Sequence, residues 1–237
     1  AMAQMTIGEM LTNLCWVVVS RFENIKCSGN WMWNIKKKGQ KMALYRACKE
    51  LTNQLKQIDI AIDGGKDSLS MAANFDNKSI SAPGTLVLTG YVGVNNVTKR
   101  VEPYFHKSGN SIIYIPFSEH TRLGCSCLEQ VFNNMTADVP RVENMMKVKH
   151  IFELIQEDIF FKKIIAGHDR SDGGLITTLL EMCIGGLKGC EIDIHIHHKW
   201  LDFWFNEELG LIVEVEPKNT EYILKRYDGI LLGRITN

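Results

Sequence analysis

The chain has 237 residues, of which 45% are hydrophobic and 23% are charged, a composition typical of globular proteins with one large or two smaller cores. Its 27 basic residues balance its 27 acidic ones, so that the net charge favours neither nucleic acid nor an anionic membrane as a partner. Five prolines and the lack of a low-complexity tract argue against a disordered chain.

Helical and strand patterns alternate in the first half of the chain. Thr6 is a candidate N-cap for the first helix. Glycine-containing turns are predicted in CSGNW (27–31) and in DGGKDS (63–68), and a further turn is predicted at Pro83-Gly84. The predicted elements are, in order, a helix over 7–21, a strand over 25–27, a helix over 41–57, and strands over 58–62 and 85–94.

A polar stretch, residues 95–110, separates this half from the next and predicts two domains, residues 1–100 and 101–237. Gly185-Gly186 should end the helix predicted over 175–183. The predicted strands are 111–117, 164–166, 192–196, one within 206–217, and 229–235; the predicted helices are 128–134, 142–158, 175–183 and 220–227. Because helices and strands mix without strict βαβ alternation, we expect α+β layers.

The cysteines and histidines give weak metal signals. Seven scattered cysteines, odd in number and without a CxxC pair, are typical of reduced thiols in a cytoplasmic protein. Cys125 and Cys127 are too close together for the usual zinc knuckle. His195 and His197 share one face of a predicted surface strand, and two histidines are too few to indicate a metal site. The apolar run 14–19 is too short to span a bilayer, and no signal peptide is visible.

The sequence AGHDRSDGGL (166–175) carries the strongest chemical pattern. A strand that ends at Asp169 and a helix that begins near Gly173 would leave free backbone amides, which attract phosphate. An aspartate there would repel phosphate unless a cation lay between them. The pattern therefore indicates a metal–phosphate site, with Asp169 on a divalent ion and Ser171 on a phosphate oxygen. The alternative is that Ser171 or Asp172 is simply an N-cap and the other groups are solvated.

Two further patterns could contribute to binding. Glu9 and Asn13 are four residues apart, so their oxygens lie on one helix face and suit Mg²⁺, although such a pair is often only a solvated surface. In DGGKDS (63–68), glycine allows amides to approach an anion and Lys66 adds positive charge. This is not a Walker A loop, which has four residues between its first glycine and Gly-Lys-Ser/Thr. The alternative is a plain glycine turn with an exposed lysine.

Six motifs occur in one order along the chain: GEMLTNL (8–14), KCSGNWMW (26–33), DGGKDSLSM (63–71), APGTLVLTGY (82–91), HDRSDGGL (168–175) and FNEELG (205–210). This series resembles the phosphoribosylformylglycinamidine synthase family, specifically the second half of its synthetase region. The resemblance implies an aminoimidazole ribonucleotide synthetase-like α+β fold. It further implies an N-terminal α/β domain that is truncated at its start, with an exposed apolar edge that self-associates, and a C-terminal α+β domain.

The same resemblance assigns roles to individual residues. Glu9, Asn13 and Asp169 match Mg²⁺ ligands of an auxiliary ATP/ADP site, and Ser171 matches a residue that contacts the nucleotide. One further aspartate ligand of the family would precede residue 1, so weak or absent ADP binding is expected of the isolated chain.

Gly65, Lys66 and Ser68 match positions that face the substrate across the interface between the synthetase halves. Smaller relatives have asparagine at Lys66, and a lysine cation would repel Mg²⁺. No catalytic residue is expected in this chain, because the catalytic histidine, the glycine-rich ATP loop and the glutaminase cysteine of the family lie in other parts of the enzyme.

In that family, ATP phosphorylates the formamide oxygen of formylglycinamide ribonucleotide, and ammonia from glutamine displaces the phosphate to give the amidine. The expected partners are the first synthetase half and the glutaminase domain of the same polypeptide, with no nucleic acid and no membrane. The chain alone is expected to be inactive. The alternative is a stand-alone nucleotide-binding module without catalysis.

Overall fold

A computed structural model describes residues 1–194 and 199–237, and the histidines at 195 and 197 lie outside these ranges. The helices are α1 (Met2–Leu14), α2 (Gln40–Gln57), α3 (Cys127–Val131), α4 (Met145–Phe160), α5 (Gly174–Gly186), α6 (Trp200–Phe205) and α7 (Thr220–Tyr227). The strands are β1 (Lys26–Met32), β2 (Ala61–Ser68), β3 (Ala72–Phe75), β4 (Lys78–Ser81), β5 (Thr85–Tyr91), β6 (Ser111–Pro116), β7 (Ile164–Asp169), β8 (Gly189–Ile192), β9 (Gly210–Val215) and β10 (Ile230–Thr236). None of the helices in these ranges is both long and apolar enough to cross a bilayer.

The larger sheet has five antiparallel strands in the order β7-β9-β6-β10-β8. Side chains alternate between its faces. On β6, Ile113 and Ile115 join the core formed with α4 and α7, whereas Ile112 and Tyr114 join the core formed with α5 and α6. Every residue of β9 is buried because helices cover both faces. The predicted α+β arrangement is confirmed.

The smaller sheet has the order β2-β1-β5, with β1 parallel to β2 and antiparallel to β5. Helix α1 packs against β5, α2 and α4. Its buried residues Ile7 and Leu11 belong to the same core as Phe152 and Ile155 of α4, so the two halves of the chain share one hydrophobic cluster. This packing fixes α1 beside the end of the larger sheet. The domain division at residues 100 and 101 stays a prediction.

The extent predicted for the first helix, residues 7–21, is wrong. Helix α1 ends at Leu14, and Thr6 is inside it, donating a hydrogen bond from Oγ1 to the Met2 carbonyl over 3.0 Å. The apolar residues that follow form backbone hydrogen bonds with a distant segment, since the Val18 amide donates to the Lys99 carbonyl oxygen at 2.8 Å. Long-range pairing therefore overrides a local pattern compatible with helix.

Both glycine-containing turns, in 27–31 and 63–68, are also wrong predictions, because these segments lie within β1 and β2. The two strands pair directly, with Gly29 opposite Gly65. A Cβ atom at position 65 would lie 2.3 Å from the Gly29 carbonyl oxygen, so glycine serves close strand contact here, not a turn.

Two smaller predictions near α5 also need correction. The helix does not stop before Gly185-Gly186 but includes both glycines and ends at Gly186, with Leu187 as its C-cap at a φ of +50°. Helix α6 is absent from the predicted elements because its sequence, WLDFWF, is almost uniformly apolar and has no clear period.

Candidate nucleotide and metal site

A cleft of about 880 Å³ opens between α1, β5 and the segment that follows β7. Its lining includes Glu9 and Asn13 from α1, Leu88 from β5, and Ser171 and Asp172 from the segment before α5. The volume is within the range of small-molecule and cofactor sites.

The four residues predicted to act together lie close to one another, with Glu9, Asn13 and Ser171 lining the cleft and Asp169 buried beside Glu9. Ser171 donates a hydrogen bond from Oγ to Glu9 Oε1 over 3.4 Å, although the two residues are 162 positions apart. Asn13 donates from Nδ2 to the same oxygen at 3.0 Å. Asp169 lies at the end of β7, buried, and close enough to Glu9 for the two carboxylates to interact.

The electrostatics of this cluster favour a cation. Burial, and next the negative charge of Asp169, raise the pKa of Glu9, while its hydrogen bonds to Asn13 and Ser171 lower it. Among the described residues, no lysine or arginine forms a salt bridge with either carboxylate. Two neighbouring carboxylates without a lysine or arginine partner form a hard oxygen site of the kind that binds Mg²⁺.

His168 is a neighbour of the site that the sequence reasoning did not single out. Its Nδ1 is 3.4 Å from Asp169 Oδ1, and its Nε2 is 3.5 Å from Glu181. The hydrogen bond to Asp169 is the main reason that the pKa of His168 is raised. An imidazole in this place orients the carboxylate, as groups behind a metal ligand commonly do.

A buried arginine, also missed, holds the loop between Asp169 and Ser171. The Arg170 guanidinium donates to the carbonyl oxygens of Glu208 and Leu209, and it lies 5.1 Å from the ring of Tyr114. Burial lowers the pKa of Arg170. The carbonyl groups that accept these hydrogen bonds belong to the FNEELG sequence (205–210). The two adjacent glutamates of that sequence were the feature that could have drawn attention to it.

The side chain of Glu208 connects this network to a second buried arginine, Arg122. Its carboxylate accepts a hydrogen bond from Arg122 Nε, and Arg122 also donates to Glu143 and to the Arg141 carbonyl, both at 3.1 Å. The loop that carries Asp169 is thus tied to the segment before α4.

The start of α5 differs from both sequence interpretations. Its N-cap is Gly173, and neither Ser171 nor Asp172 caps it with a side chain, so the N-cap alternative is wrong. The first amide is not free, because Gly173 N–H donates to Glu207 Oε1 at 2.9 Å. Gly174 has a φ of +74°, and a Cβ atom there would lie 2.6 Å from the Trp204 carbonyl oxygen. Glycine at this position lets α5 begin directly against α6.

The other predicted group stands apart from this cluster. Gly65, Lys66 and Ser68 lie on β2, an edge strand of the smaller sheet, and none of them lines the cleft. Gly65 and Lys66 are exposed, and Lys66 is opposite Asn30 in the register with β1. Because residues 63–68 are extended, they do not form the phosphate-cradling loop that the glycines suggested.

Comparison with known proteins gives two family matches. Residues 1–93 match the FGAR-AT PurM_N-like domain, and residues 107–236 match the AIR synthase related protein C-terminal domain. Together these matches account for both halves of the chain.

Curated relatives extend the match across the chain. A probable phosphoribosylformylglycinamidine synthase from Arabidopsis thaliana, named as chloroplastic/mitochondrial, is 39% identical over 246 residues and covers 100% of this chain. The phosphoribosylformylglycinamidine synthase of Dictyostelium discoideum is 40% identical over 240 residues and covers 94% of it. The chain spans 18% of the length of each of these relatives.

Solved structures support the fold. T. maritima PurL complexed with ATP has a TM-score of 0.69 and 12% identity, and the match covers 99% of this chain and 37% of that one. The ADP complex of the same protein has the same TM-score and identity. The chain therefore belongs to the AIR synthase related family, with an FGAR-AT PurM_N-like domain followed by the family's C-terminal domain.

Proposed function

We propose that this chain acts as part of a phosphoribosylformylglycinamidine synthase and carries an auxiliary Mg²⁺–nucleotide site. The observation that carries the proposal is the meeting of Glu9 and Asn13 of α1 with Ser171 at one cleft, with Asp169 buried beside Glu9. The relatives named for this activity support the reaction, and the PurL complexes with ATP and ADP support a nucleotide as ligand.

Each residue of the cluster has a role that its chemistry suits. Glu9, Asn13 and Asp169 would hold Mg²⁺ through carboxylate and amide oxygens. The ion, when bound, would neutralise phosphate charge. Ser171 would exchange its hydrogen bond to Glu9 for one to a phosphate oxygen. His168 keeps Asp169 oriented, and Arg170 holds the loop in place from the core side.

The synthase reaction itself would depend on other parts of the polypeptide. ATP would activate the formamide oxygen of formylglycinamide ribonucleotide, and ammonia from glutamine would replace the phosphate. Gly65, Lys66 and Ser68 would face that substrate from β2 across an interface with the first synthetase half. Because Gly65 and Lys66 are open on an edge strand, they can be reached by a partner surface. The glutaminase domain would be the second partner.

By itself the chain is proposed to be inactive, since the family resemblance places the catalytic histidine, the glycine-rich ATP loop and the glutaminase cysteine in other parts of the synthase. An assay with ATP, glutamine and formylglycinamide ribonucleotide should show no turnover by the purified chain. Turnover after exclusion of host enzyme would contradict this. The reduced cysteines suit a cytoplasmic enzyme.

The nucleotide site is tested in the full-length synthase that contains this chain. Asp169→Ala should remove bound ADP from the purified enzyme, because a carboxylate ligand is lost, while the exposed Asp193→Ala should not. Unchanged nucleotide content in Asp169→Ala would refute the assigned role.

A stand-alone nucleotide-binding module is the alternative, because the four residues of this cluster all lie within the chain. Mixing the chain with the remaining synthase domains separates the two hypotheses. Restored amidine synthesis favours the synthase, and nucleotide binding without any restored turnover favours the module.

A further inference from the structure

We propose a second metal site in this chain, formed by Cys127, Asp172 and Glu207 and suited to a thiophilic divalent cation such as Zn²⁺. One ligand atom from each residue lies within 4.8 Å of the other two. Asp172 and Glu207 also line the cleft described above, so the site opens to the same space. The proposal rests on these three residues and does not depend on the nucleotide site.

Three separate parts of the fold supply the three side chains. Cys127 is the first residue of α3, Asp172 precedes α5, and Glu207 follows α6. Two backbone amides hold the Glu207 carboxylate, because its Oε1 accepts hydrogen bonds from the Cys127 amide at 2.8 Å and from the Gly173 amide at 2.9 Å. The Cys127 thiol is also hydrogen-bonded to the Glu207 carboxylate, so two of the three side chains already touch. Hydrogen bonds of this kind commonly orient metal-binding carboxylates.

Two carboxylates at this position share one nearby protein cation, the Arg170 guanidinium, whose charge interacts with Glu207. Neither Asp172 nor Glu207 forms a salt bridge with any of the residues that the structure describes. Burial, and next the charge of Glu207, raise the pKa of Cys127, so the thiol stays protonated in the absence of a metal. When the cation binds, the S–H bond breaks, a sulfur–metal bond forms and one proton leaves to solvent.

The ligand types separate this site from the cluster around Glu9. Glu9, Asn13 and Asp169 offer only hard oxygen ligands, which suit Mg²⁺. A thiolate selects softer ions, and Zn²⁺ accepts both cysteine sulfur and carboxylate oxygen as ligands. Three protein ligands would leave a fourth position for water or a phosphate oxygen.

Co²⁺ is the most direct probe, because a cobalt–thiolate bond gives an intense near-ultraviolet charge-transfer absorption that oxygen ligands do not give. We expect the reduced full chain to bind one Co²⁺ with this absorption, and Zn²⁺ to displace it. Cys127→Ser should abolish the absorption. Cys125→Ser is the matched control, since Cys125 is exposed and lines the cleft two positions away.

Two further variants separate the site from its neighbour and from misfolding. Asp172→Asn, an exposed position, should weaken Co²⁺ binding by roughly 10-fold or more without changing the thermal unfolding midpoint. Glu9→Gln should leave the cobalt–thiolate absorption intact. Absorption that survives Cys127→Ser, or Co²⁺ binding by the unmodified chain without sulfur absorption, would overturn the proposal.

Discussion

Two segments of this chain have similar sequences and opposite structural roles. HDRSDGGL (168–175) and DGGKDS (63–68) both follow a strand pattern and combine paired glycines with aspartate and serine. The first forms a bent loop whose Arg170 is buried and whose Ser171 contacts Glu9. The second is an extended edge strand whose charged residues are exposed.

The difference shows which of the two segments meets its partner residues within this chain and which one presents its residues on an exposed edge. The loop at 168–175 meets its partners within the chain, because β9, α1 and the segment after α6 all converge on it. The strand at 63–68 pairs with β1 on one side and presents its other edge outward. Any ligand of Lys66 would therefore need a second surface, whereas a ligand of Asp169 would not.

The largest effect is expected from backbone strain in the loop. Gly174→Ala should lower the free energy of unfolding by about 3 kcal/mol, because φ is positive and a Cβ atom would clash with backbone atoms of α6. Chemical denaturation at 25 °C measures this change in the free energy of unfolding. Gly64→Ala, whose Cβ would lie 3.6 Å from Ser28 Oγ, should change stability by less than about 0.5 kcal/mol. Equal losses in the two variants would erase the distinction between the segments.

The next effect concerns binding. Asp169→Asn should weaken Mg²⁺-dependent ADP binding by the full-length synthase by roughly 100-fold, because it removes the charge of a proposed metal ligand. Titration calorimetry with and without Mg²⁺ measures the change. Asp67→Asn is the matched control from the exposed strand and should leave the affinity unchanged. A similar loss in both variants would show that the effect is not specific to the cleft.

A smaller effect is expected from Glu9→Gln, which should raise the stability of the protein and weaken its binding of Mg²⁺–ADP. The variant should unfold at a higher temperature in EDTA, because burial and Asp169 both oppose a charge at this position. It should also bind Mg²⁺–ADP roughly 10-fold more weakly, because the ligand charge is gone. Thermal unfolding and calorimetry on the same preparations provide both values. A lower unfolding temperature in EDTA would mean that the Glu9 charge is compensated within the protein.

The smallest effect is expected at Lys66. Lys66→Ala should change the stability of the chain by less than about 0.5 kcal/mol, because the side chain is exposed. ADP binding should stay the same, while the KM for formylglycinamide ribonucleotide in the full-length synthase should rise several-fold. Weaker ADP binding in this variant would place Lys66 near the cleft after all.

The sequence pattern alone predicted several helices and one strand of the fold. The helices near residues 142–158 and 220–227 and the strand near 111–117 were found because their apolar patterns mark positions that these elements bury. The helix near 41–57 was also found, although Met42 and Tyr45 of its apolar pattern are exposed and only Leu51 and Leu55 are buried. The six ordered motifs indicated the family, and the α+β class followed from the mixture of elements. The meeting of Glu9 with Asp169 was implied by the family resemblance, not by spacing.

Only the tertiary structure decided what depends on distant segments. Glycines at 29 and 65 belong to paired strands because β1 and β2 lie side by side, which no local turn preference reveals. Arg170 is an anchor because carbonyls of Glu208 and Leu209, just before the neighbouring strand β9, accept its hydrogen bonds. Cys127, unremarkable in its own sequence, meets two carboxylates only after α3, α5 and α6 have packed. In each case the deciding contact joins residues far apart in the chain, and its energy is realised only when the whole core has formed.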